Sequence, residues 1–219
     1  SIQAMKTKIS IFYLIMILTA CASCMQSRDR GKDEHTEEKM VEETSSKTIV
    51  LQPFDGLDRL IVDSRAARLA KVVPDLNINE SVSLPQSAYY AERNRYRADS
   101  LVSYLWKLST TKTIVMGITN RDISVTNGKN KDWGIIGYAG YIPSHACVIS
   151  TFRLSNDNLI EQLYRGTIHE LGHPEGLHHC SRSDSCLMRS FEGKNRTSQL
   201  TEFCRFCKFH LTERGWKFD

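Results

Sequence analysis

Residues 169–180, which read HELGHPEGLHHC, constrain this chain more than any other stretch. In a helix, His169 and His173 lie four residues apart on one face, so both imidazoles can reach one metal ion. Gly176 permits a left-handed turn, which returns the chain so that His179 can approach the same point from another direction. The spacing therefore predicts a metal site with three histidine ligands.

The ligand type and the neighbouring residues favour a catalytic zinc site. Three neutral imidazoles around zinc leave a fourth coordination position open for water. Glu170 follows the first histidine, and in H-E-x-x-H sites this carboxylate is the general base. Pro174 disfavours helical geometry in the residue before it and is expected to end the helix. The alternative is a histidine-rich helix end with surface imidazoles, but the extended pattern H-E-x-x-H-x-x-G-x-x-H is complete.

The residues that follow narrow the interpretation to one family. They include Cys180, Cys186, Met188, Cys204 and Cys207. This combination resembles the archaemetzincins, a metzincin-clan family of zinc peptidases whose signature joins the extended zinc motif to a Cys, a C-x-M segment and a C-x-x-C. The resemblance implies that Met188 is the Met-turn residue under the catalytic zinc. It also implies that the four cysteines are the ligands of a second, structural zinc, giving two zinc ions in total.

Two spacings depart from the family pattern. The family usually has four residues between the first two cysteines and seventeen between the methionine and the third cysteine, whereas this chain has five and fifteen. Both changes are expected to fall in loops, with the ligands retained. Two disulfides are the alternative in an exported protein, but C-x-x-C with two further thiols suits tetrahedral zinc, and the resemblance favours zinc. Cys147 lies in an apolar run and is predicted to be buried.

The amino-terminal segment is similar to a bacterial lipoprotein signal peptide. Residues 1–4 precede Met5 and are interpreted as a cloning scar or an upstream mis-start. Two lysines then form a positive n-region before the apolar residues 9–18, a run shorter than the roughly twenty residues of a transmembrane helix. The junction Leu-Thr-Ala-Cys is similar to a lipobox, so Cys21 is predicted to carry a lipid that anchors the protein in the bacterial cell envelope. An ordinary signal peptide, an uncleaved anchor and lipidation of Cys24 are the alternatives.

The rest of the chain divides into a tether and one domain. Residues 21–47 are rich in charged and hydroxyl side chains, so they are predicted to be a disordered tether. Residues 48–219 are long enough for one domain with a sizeable core, which is expected to be monomeric. The formal net charge of +4 is modest, and no basic stripe with interleaved aromatics indicates a nucleic-acid partner.

Strands alternate with helices in this domain, which predicts an α/β fold. The expected strands are residues 48–54, 76–84, 113–119, 133–142 and 146–152, and the expected helices are residues 57–73, 88–108 and 156–173. The last helix is expected to start with a capping box formed by Asn158 and Glu161 and to bury a stripe of Leu159, Leu163, Ile168 and Leu171.

The family resemblance adds a zincin/metzincin-like (α+β) arrangement to this fold. It implies a twisted mixed sheet, an active-site helix and a small C-terminal part that carries the second zinc site. Residues 134–141 would then form the sheet edge that borders the cleft, where extended peptides bind by main-chain hydrogen bonds. An ordinary paired strand is the alternative. His178 is predicted to be a surface or cleft-side residue and Glu175 to be solvated.

These observations predict a lipid-anchored zinc metallopeptidase that acts on peptides or proteins, with Glu170 as its general base. The rival is a zinc-stabilised lipoprotein that binds peptides without cutting them. An intact Glu170 argues against it, because a pure binder needs no general base beside its metal ligands. A nucleic-acid-binding module built on the four cysteines is disfavoured by the compartment and the charge.

Overall fold

The computed structural model describes residues 46–191 and 194–218 of the chain. The helices are α1 (Arg59–Leu69), α2 (Ala98–Trp106), α3 (Leu159–Gly172) and α4 (Arg205–Thr212). The strands are β1 (Thr48–Pro53), β2 (Asp75–Ile78), β3 (Tyr89–Tyr90), β4 (Arg95–Arg97), β5 (Thr113–Thr119), β6 (Ile123–Asn127), β7 (Asn130–Ile135), β8 (Gly137–Tyr138) and β9 (Ala146–Ser150). None of the helices in these described ranges is long and apolar enough to cross a bilayer. The predicted signal peptide, Cys21, Cys24 and nearly all of the predicted tether lie outside the described residues.

A five-stranded sheet in the order β2-β1-β5-β9-β8 forms the centre of the domain. β1, β2, β5 and β9 pair in parallel, whereas β8 pairs with β9 in antiparallel fashion at the edge. The side chains of β9 are all buried, and so are all but the first of β5, as expected for strands covered on both faces. The predicted α/β fold with a mixed sheet is therefore confirmed.

A second sheet, in the order β3-β4-β6-β7, replaces part of what was predicted to be helix. The predicted helix 88–108 begins only at Ala98. The residues before it form 3-10 turns at Gln86–Ala88 and Ala91–Arg93 together with β3 and β4. Asn94 has a φ of 51°, a left-handed conformation that no helix can continue through. The helix prediction was therefore wrong over its first ten residues.

Two of the predicted strands also differ from the structure. Residues 133–142 divide between β7, in the four-stranded sheet, and β8, in the five-stranded sheet. The hairpin of β6 and β7 was not predicted, although its turn contains Asn127 followed by Gly128, a strong hairpin signal. β2 ends at Ile78, and the next residues, Asn79 and Glu80, hydrogen-bond the side chain of Gln52 at 2.9 and 2.8 Å.

Helix α3 contains His169, ends at the cap residue His173, and packs against β9. Leu163, Ile168 and Leu171 are buried as predicted, while Leu159 is partly buried against the same core. The predicted capping box is wrong. Asn158 adopts a left-handed conformation and its side chain makes no cap bond. The Glu161 carboxylate instead accepts hydrogen bonds from arginines of α1 and α3.

The core between α1 and the sheet contains a charged group. Arg65 is 0% exposed, and within the described residues its guanidinium has no hydrogen-bond partner. Burial lowers the pKa of Arg65 to about 9, and the nearby thiol of Cys147, which is buried as predicted, acts in the opposite direction. A buried cation without a hydrogen-bonding partner opposes folding.

We therefore expect Arg65→Met, which keeps an unbranched apolar chain and removes the guanidinium group, to raise the free energy of unfolding by about 1–4 kcal/mol. Urea denaturation followed by circular dichroism measures this change. Leu69→Ala on the same helix is the control, since it removes a side chain with 0% exposure and should lower the free energy by about 2–5 kcal/mol. A clear loss of stability in Arg65→Met would show that the guanidinium is satisfied in solution.

Candidate functional site

The three predicted histidine ligands meet at the C-terminal end of α3. The helix ends at Gly172, with His173 as its C-cap, as Pro174 predicted. The chain then turns through Gly176, whose φ is 99°, and brings His179 back towards the helix. One ring nitrogen from each histidine lies within 4.8 Å of those of the other two.

Hydrogen bonds fix the tautomers of two of these rings. His169 donates its Nδ1 proton to the Leu187 carbonyl, and His173 donates its Nδ1 proton to the Leu177 carbonyl at 2.7 Å. Since a carbonyl can only accept, the Nε2 lone pair of each ring is free for a ligand. Burial lowers the pKa of His169 to about 3, lowers that of His173 to about 4, and also lowers that of His179. The rings are therefore neutral at pH 7 and fit a zinc ion.

Glu170 lies in the same wall and is only 4% exposed. Burial raises the pKa of Glu170 to about 8. β8 crosses directly over this side chain at Gly137. A Cβ atom at Gly137 would lie 2.5 Å from Cδ and 2.6 Å from Cγ of Glu170. The carboxylate can therefore occupy its position only because residue 137 has no side chain.

A cleft of about 690 Å³ runs between the histidines and the edge strand. One wall contains the three histidines and Glu170, and the other contains residues 133–140. The prediction that the segment 134–141 borders the cleft at the sheet edge is confirmed for β8. Phe191 also lines the cleft and stacks on His169, with ring centroids 4.6 Å apart. No sequence signal pointed to Phe191, because it lies beyond the spacing of any motif.

Met188, the predicted Met-turn residue, packs against the C-terminal end of α3 at Gly172. It is 0% exposed, and its Sδ atom would be 2.5 Å from a Cβ atom at Gly172. Its neighbour Leu187 provides the carbonyl that holds His169. The C-x-M segment therefore supports the helix end that carries two of the three histidines.

The four cysteines of the C-terminal part form a second cluster. The Sγ atoms of Cys180 and Cys204, of Cys186 and Cys207, and of Cys204 and Cys207 are 3.7, 3.8 and 3.7 Å apart. Four sulfurs around zinc at about 2.3 Å would be about 3.8 Å apart, whereas a disulfide bond is about 2.0 Å long. All four are free thiols, so their geometry fits a metal ion and not two disulfides.

The backbone around this cluster provides hydrogen bonds to the sulfurs. The amide of Cys204 donates to Sγ of Cys186, and the amide of Arg182 donates to Sγ of Cys180, both at 3.4 Å. The hydrogen bond between the sulfurs of Cys186 and Cys207, together with backbone amides, lowers the pKa of Cys186 to about 5. The pKa values of Cys180 and Cys207 are raised, so in this arrangement the thiolate, which is the form that binds zinc, is favoured at Cys186.

Two predictions about solvent exposure near the histidines can be compared with the structure, those for Glu175 and His178. Glu175, predicted to be solvated, is 4% exposed and accepts a hydrogen bond from Trp216 Nε1 at 3.1 Å. The prediction was wrong because the turn at Gly176 directs residue 175 towards the C-terminal segment, where His210 Nε2 also donates to its carbonyl. His178 is exposed, as predicted, and does not line the cleft.

Comparison with known proteins gives consistent matches over most of the chain. The sequence profile of Peptidase family M54 matches residues 54–213. The archaemetzincin of Methanopyrus kandleri is 26% identical over 176 residues, which are 77% of this chain and 97% of that protein. The archaemetzincin of Aeropyrum pernix is 30% identical over 189 residues, which are 76% of this chain and 94% of that protein.

Solved structures agree with these matches. The crystal structure of the Methanopyrus kandleri archaemetzincin superposes with a TM-score of 0.64 at 26% identity, covering 77% of this chain and 95% of that one. The archaemetzincin of Archaeoglobus fulgidus, solved in complex with malonate, gives a TM-score of 0.61 at 24% identity, covering 74% and 99% of the two chains. The latter similarity supports the fold alone.

Proposed function

Because this chain belongs to peptidase family M54, the archaemetzincins, and is therefore a zinc metallopeptidase, we propose that His169, His173 and His179 hold its catalytic zinc and that Glu170 is its general base. The observation that carries the assignment is the convergence of three neutral imidazoles and one buried carboxylate in a single cleft. Family membership implies that the substrates are peptides or proteins.

The chemistry divides between the metal and the carboxylate. Zinc, when bound, supplies a Lewis acid that polarises the peptide carbonyl and makes water more acidic. Glu170 in its ionised form takes a proton from the attacking water and then delivers that proton to the leaving amine. Burial raises the pKa of Glu170 to about 8, and a neighbouring cation lowers the pKa of a carboxyl group. These opposing influences suit a base that works near neutral pH.

The edge of the five-stranded sheet provides a surface for the substrate backbone. β8 pairs with β9 on one side, and its residues line the cleft on the other. An extended peptide can add to such an edge through main-chain hydrogen bonds. Gly137 has no side chain between the strand and Glu170, so a peptide bound there lies next to the general base.

Two further proposals concern the cysteine cluster and the amino terminus. We propose that Cys180, Cys186, Cys204 and Cys207 hold a structural zinc, which gives two zinc ions per chain; support comes from their sulfur distances. We also propose that Cys21 carries a lipid that places the enzyme in a bacterial cell envelope as a monomer. That proposal depends on the sequence alone.

The anchor is tested by replacing its cysteine. When the chain is expressed in a bacterium that processes lipoproteins, the mature protein should begin at Cys21 and partition into detergent. Cys21→Ser should abolish lipidation, whereas Cys24→Ser should leave it unchanged. Mass spectrometry of the amino-terminal peptide measures both. If Cys21→Ser retains the full lipid mass, the anchor is assigned to the wrong residue.

Gly137→Ala is expected to lower kcat by about 10–100-fold, since a displacement of about 1 Å in an active site can reduce the rate 100-fold. The added methyl group overlaps Glu170, so the carboxylate must move while the zinc ligands stay in place. Zinc content and melting temperature should remain close to those of the parent. The control is the same change made in a Glu170→Ala background, where it should have little further effect. Equal losses in both backgrounds would mean that Gly137 acts independently of Glu170.

The function itself is tested by digestion of a peptide library, read by mass spectrometry. The zinc-loaded protein should cleave peptides, a chelator should stop cleavage, and added zinc should restore it. Peptide binding without cleavage by the zinc-loaded protein would instead favour the peptide-binding lipoprotein.

A further inference from the structure

A second cavity, of about 540 Å³, adjoins the active-site cleft. Arg153 lines both cavities and so marks the boundary between them. Three other arginines, Arg93, Arg95 and Arg121, also line the second cavity, together with Asp122. We refer to this space as the basic cavity. Its four guanidinium groups distinguish it from the cleft, where Arg153 and Lys194 are the basic side chains besides the imidazoles.

Two carboxylates fix three of these arginines in place. Asp122 binds Arg153 at 2.7 and 2.9 Å and Arg95 at 2.7 Å. Asp132 binds Arg95 at 2.8 Å and Arg93 at 3.1 Å. Side-chain exposure is only 8% for Asp122 and 11% for Asp132. The guanidinium groups are therefore held by buried partners, so little side-chain freedom remains to be lost when a ligand binds.

The network leaves positive charge and hydrogen-bond donors available. Arg121 is exposed, and in the part of the chain that the structure describes its guanidinium forms no hydrogen bond or ion pair. The lining and its partners thus contain four guanidinium groups against two carboxylates. Each guanidinium has five N–H donors, and Arg153 uses Nε and Nη2 for Asp122. Within residues 46–191 and 194–218 its Nη1 forms no hydrogen bond, so it can bind a further anion.

The backbone sets the distance from this cavity to the general base. A Cβ atom at Gly134 would lie 2.8 Å from Nε of Arg153, and Gly137 lies over Glu170. These two glycines are three residues apart in the chain, a separation of at most about 10 Å. Three residues of an extended peptide span the same length. We consider a substrate bound along β8 with its reacting carbonyl near Glu170. A side chain or terminus about two to four residues from that carbonyl can then reach Arg153.

We propose that the basic cavity is a subsite for a carboxylate of the peptide substrate, located within about three residues of the cleaved bond. The carboxylate belongs either to an aspartate or glutamate side chain or to the peptide C-terminus. Guanidinium groups bind carboxylates through paired, charge-assisted hydrogen bonds, which suits both sources. This inference rests on the proposed peptidase function of the adjoining cleft.

The test uses matched peptides. A fluorogenic peptide that the enzyme cleaves is resynthesised with Glu or Gln at each of the three positions on either side of the bond, and with a free or amidated C-terminus. We expect kcat/KM to favour the acidic member of one pair by about tenfold or more, since a hydrogen bond to a charged group is worth that much. The preference should weaken in high salt. A position-specific preference indicates a side chain, whereas a preference only in the C-terminal pair indicates the terminal carboxylate.

Variants of Arg121 then show whether the preference for acidic peptides arises in the basic cavity. Arg121→Gln should reduce the acid-to-amide ratio at least threefold, and Arg121→Glu should bring it to one or below. Arg59→Gln is the matched control, because Arg59 is an exposed arginine on α1 outside both cavities, and it should leave the ratio unchanged. The proposal is overturned if no pair shows a preference, or if the preference survives unchanged in both Arg121 variants.

A binding measurement separates this proposal from the proposed function. Affinities of the same peptide pairs for zinc-loaded Glu170→Ala, measured by fluorescence anisotropy, do not depend on cleavage. A preference for the acidic peptide that is lost in Glu170→Ala/Arg121→Glu supports the subsite even if the parent cleaves nothing. Cleavage by the parent with equal affinities for both members of every pair supports the peptidase and rejects the subsite.

Discussion

Glu170→Ala is expected to lower turnover by about 10²–10⁴-fold while zinc remains bound in near-parent amounts, because a general acid–base group commonly contributes that much. Glu170 lies in the same cleft as the three imidazoles, but its carboxylate does not belong to the group of side chains that converge on the proposed zinc position. Removing its carboxylate therefore removes the proton acceptor and leaves the proposed ligand set complete. Removal of a buried carboxyl with a raised pKa should also leave the melting temperature unchanged or slightly higher.

The measurement compares kcat, zinc content and melting temperature at saturating zinc. His173→Ala is the matched control, since it removes one of the three imidazoles and should lose the catalytic zinc as well as activity. The cysteine cluster of that variant should stay loaded. If Glu170→Ala cleaves as fast as the parent, the carboxylate is not the base and the mechanism must be abandoned.

The second large effect is expected at the cysteine cluster. Cys204→Ser/Cys207→Ser removes half of the proposed ligands of the structural zinc. Structural zinc contributes about 10–16 kcal/mol of binding free energy in small zinc-dependent domains, which is comparable to the 5–15 kcal/mol or so that stabilises a whole domain. We therefore expect the C-terminal part of this variant to lose its fold, or the whole protein to accumulate as insoluble material.

Elemental analysis and a thiol count after denaturation test this prediction. The parent should contain two zinc ions per chain, and the five free cysteines of the described residues should all react. Cys147→Ala is the control: it removes a buried thiol outside the cluster and should keep both metal ions. One zinc ion together with two disulfides would contradict the structural site.

The histidine site could be predicted from the sequence because its geometry is local. The helical repeat places His169 and His173 on one face, and Pro174 and Gly176 determine where the chain turns. No long-range information is needed to bring His179 near them. The cysteine cluster is different, because Cys180 and Cys204 lie far apart in sequence and mainly the family resemblance predicted that they meet.

Other features depended on tertiary contacts that no local pattern encodes. Gly137 and Glu170 are on different elements, and their contact follows from the way β8 turns out of β7. The burial of Glu175 depends on Trp216, on the distant C-terminal segment. By contrast, the β6–β7 hairpin carried a local signal in Asn127 and Gly128 that could have been used.

The covalent bond between His179 and Cys180 has a consequence for how the enzyme acquires its metals. One residue belongs to the histidine site and the next to the cysteine cluster, and Leu187, whose carbonyl holds His169, directly follows Cys186. Loss of the metal proposed for the sulfurs is therefore expected to disturb both the third imidazole and the carbonyl that supports the first. If both proposed centres bind zinc, occupancy of one should raise the affinity of the other, and linkage makes the effect reciprocal. A thiol oxidant that acts on the cysteine cluster should therefore weaken zinc binding by the histidines and lower catalysis without touching a catalytic residue.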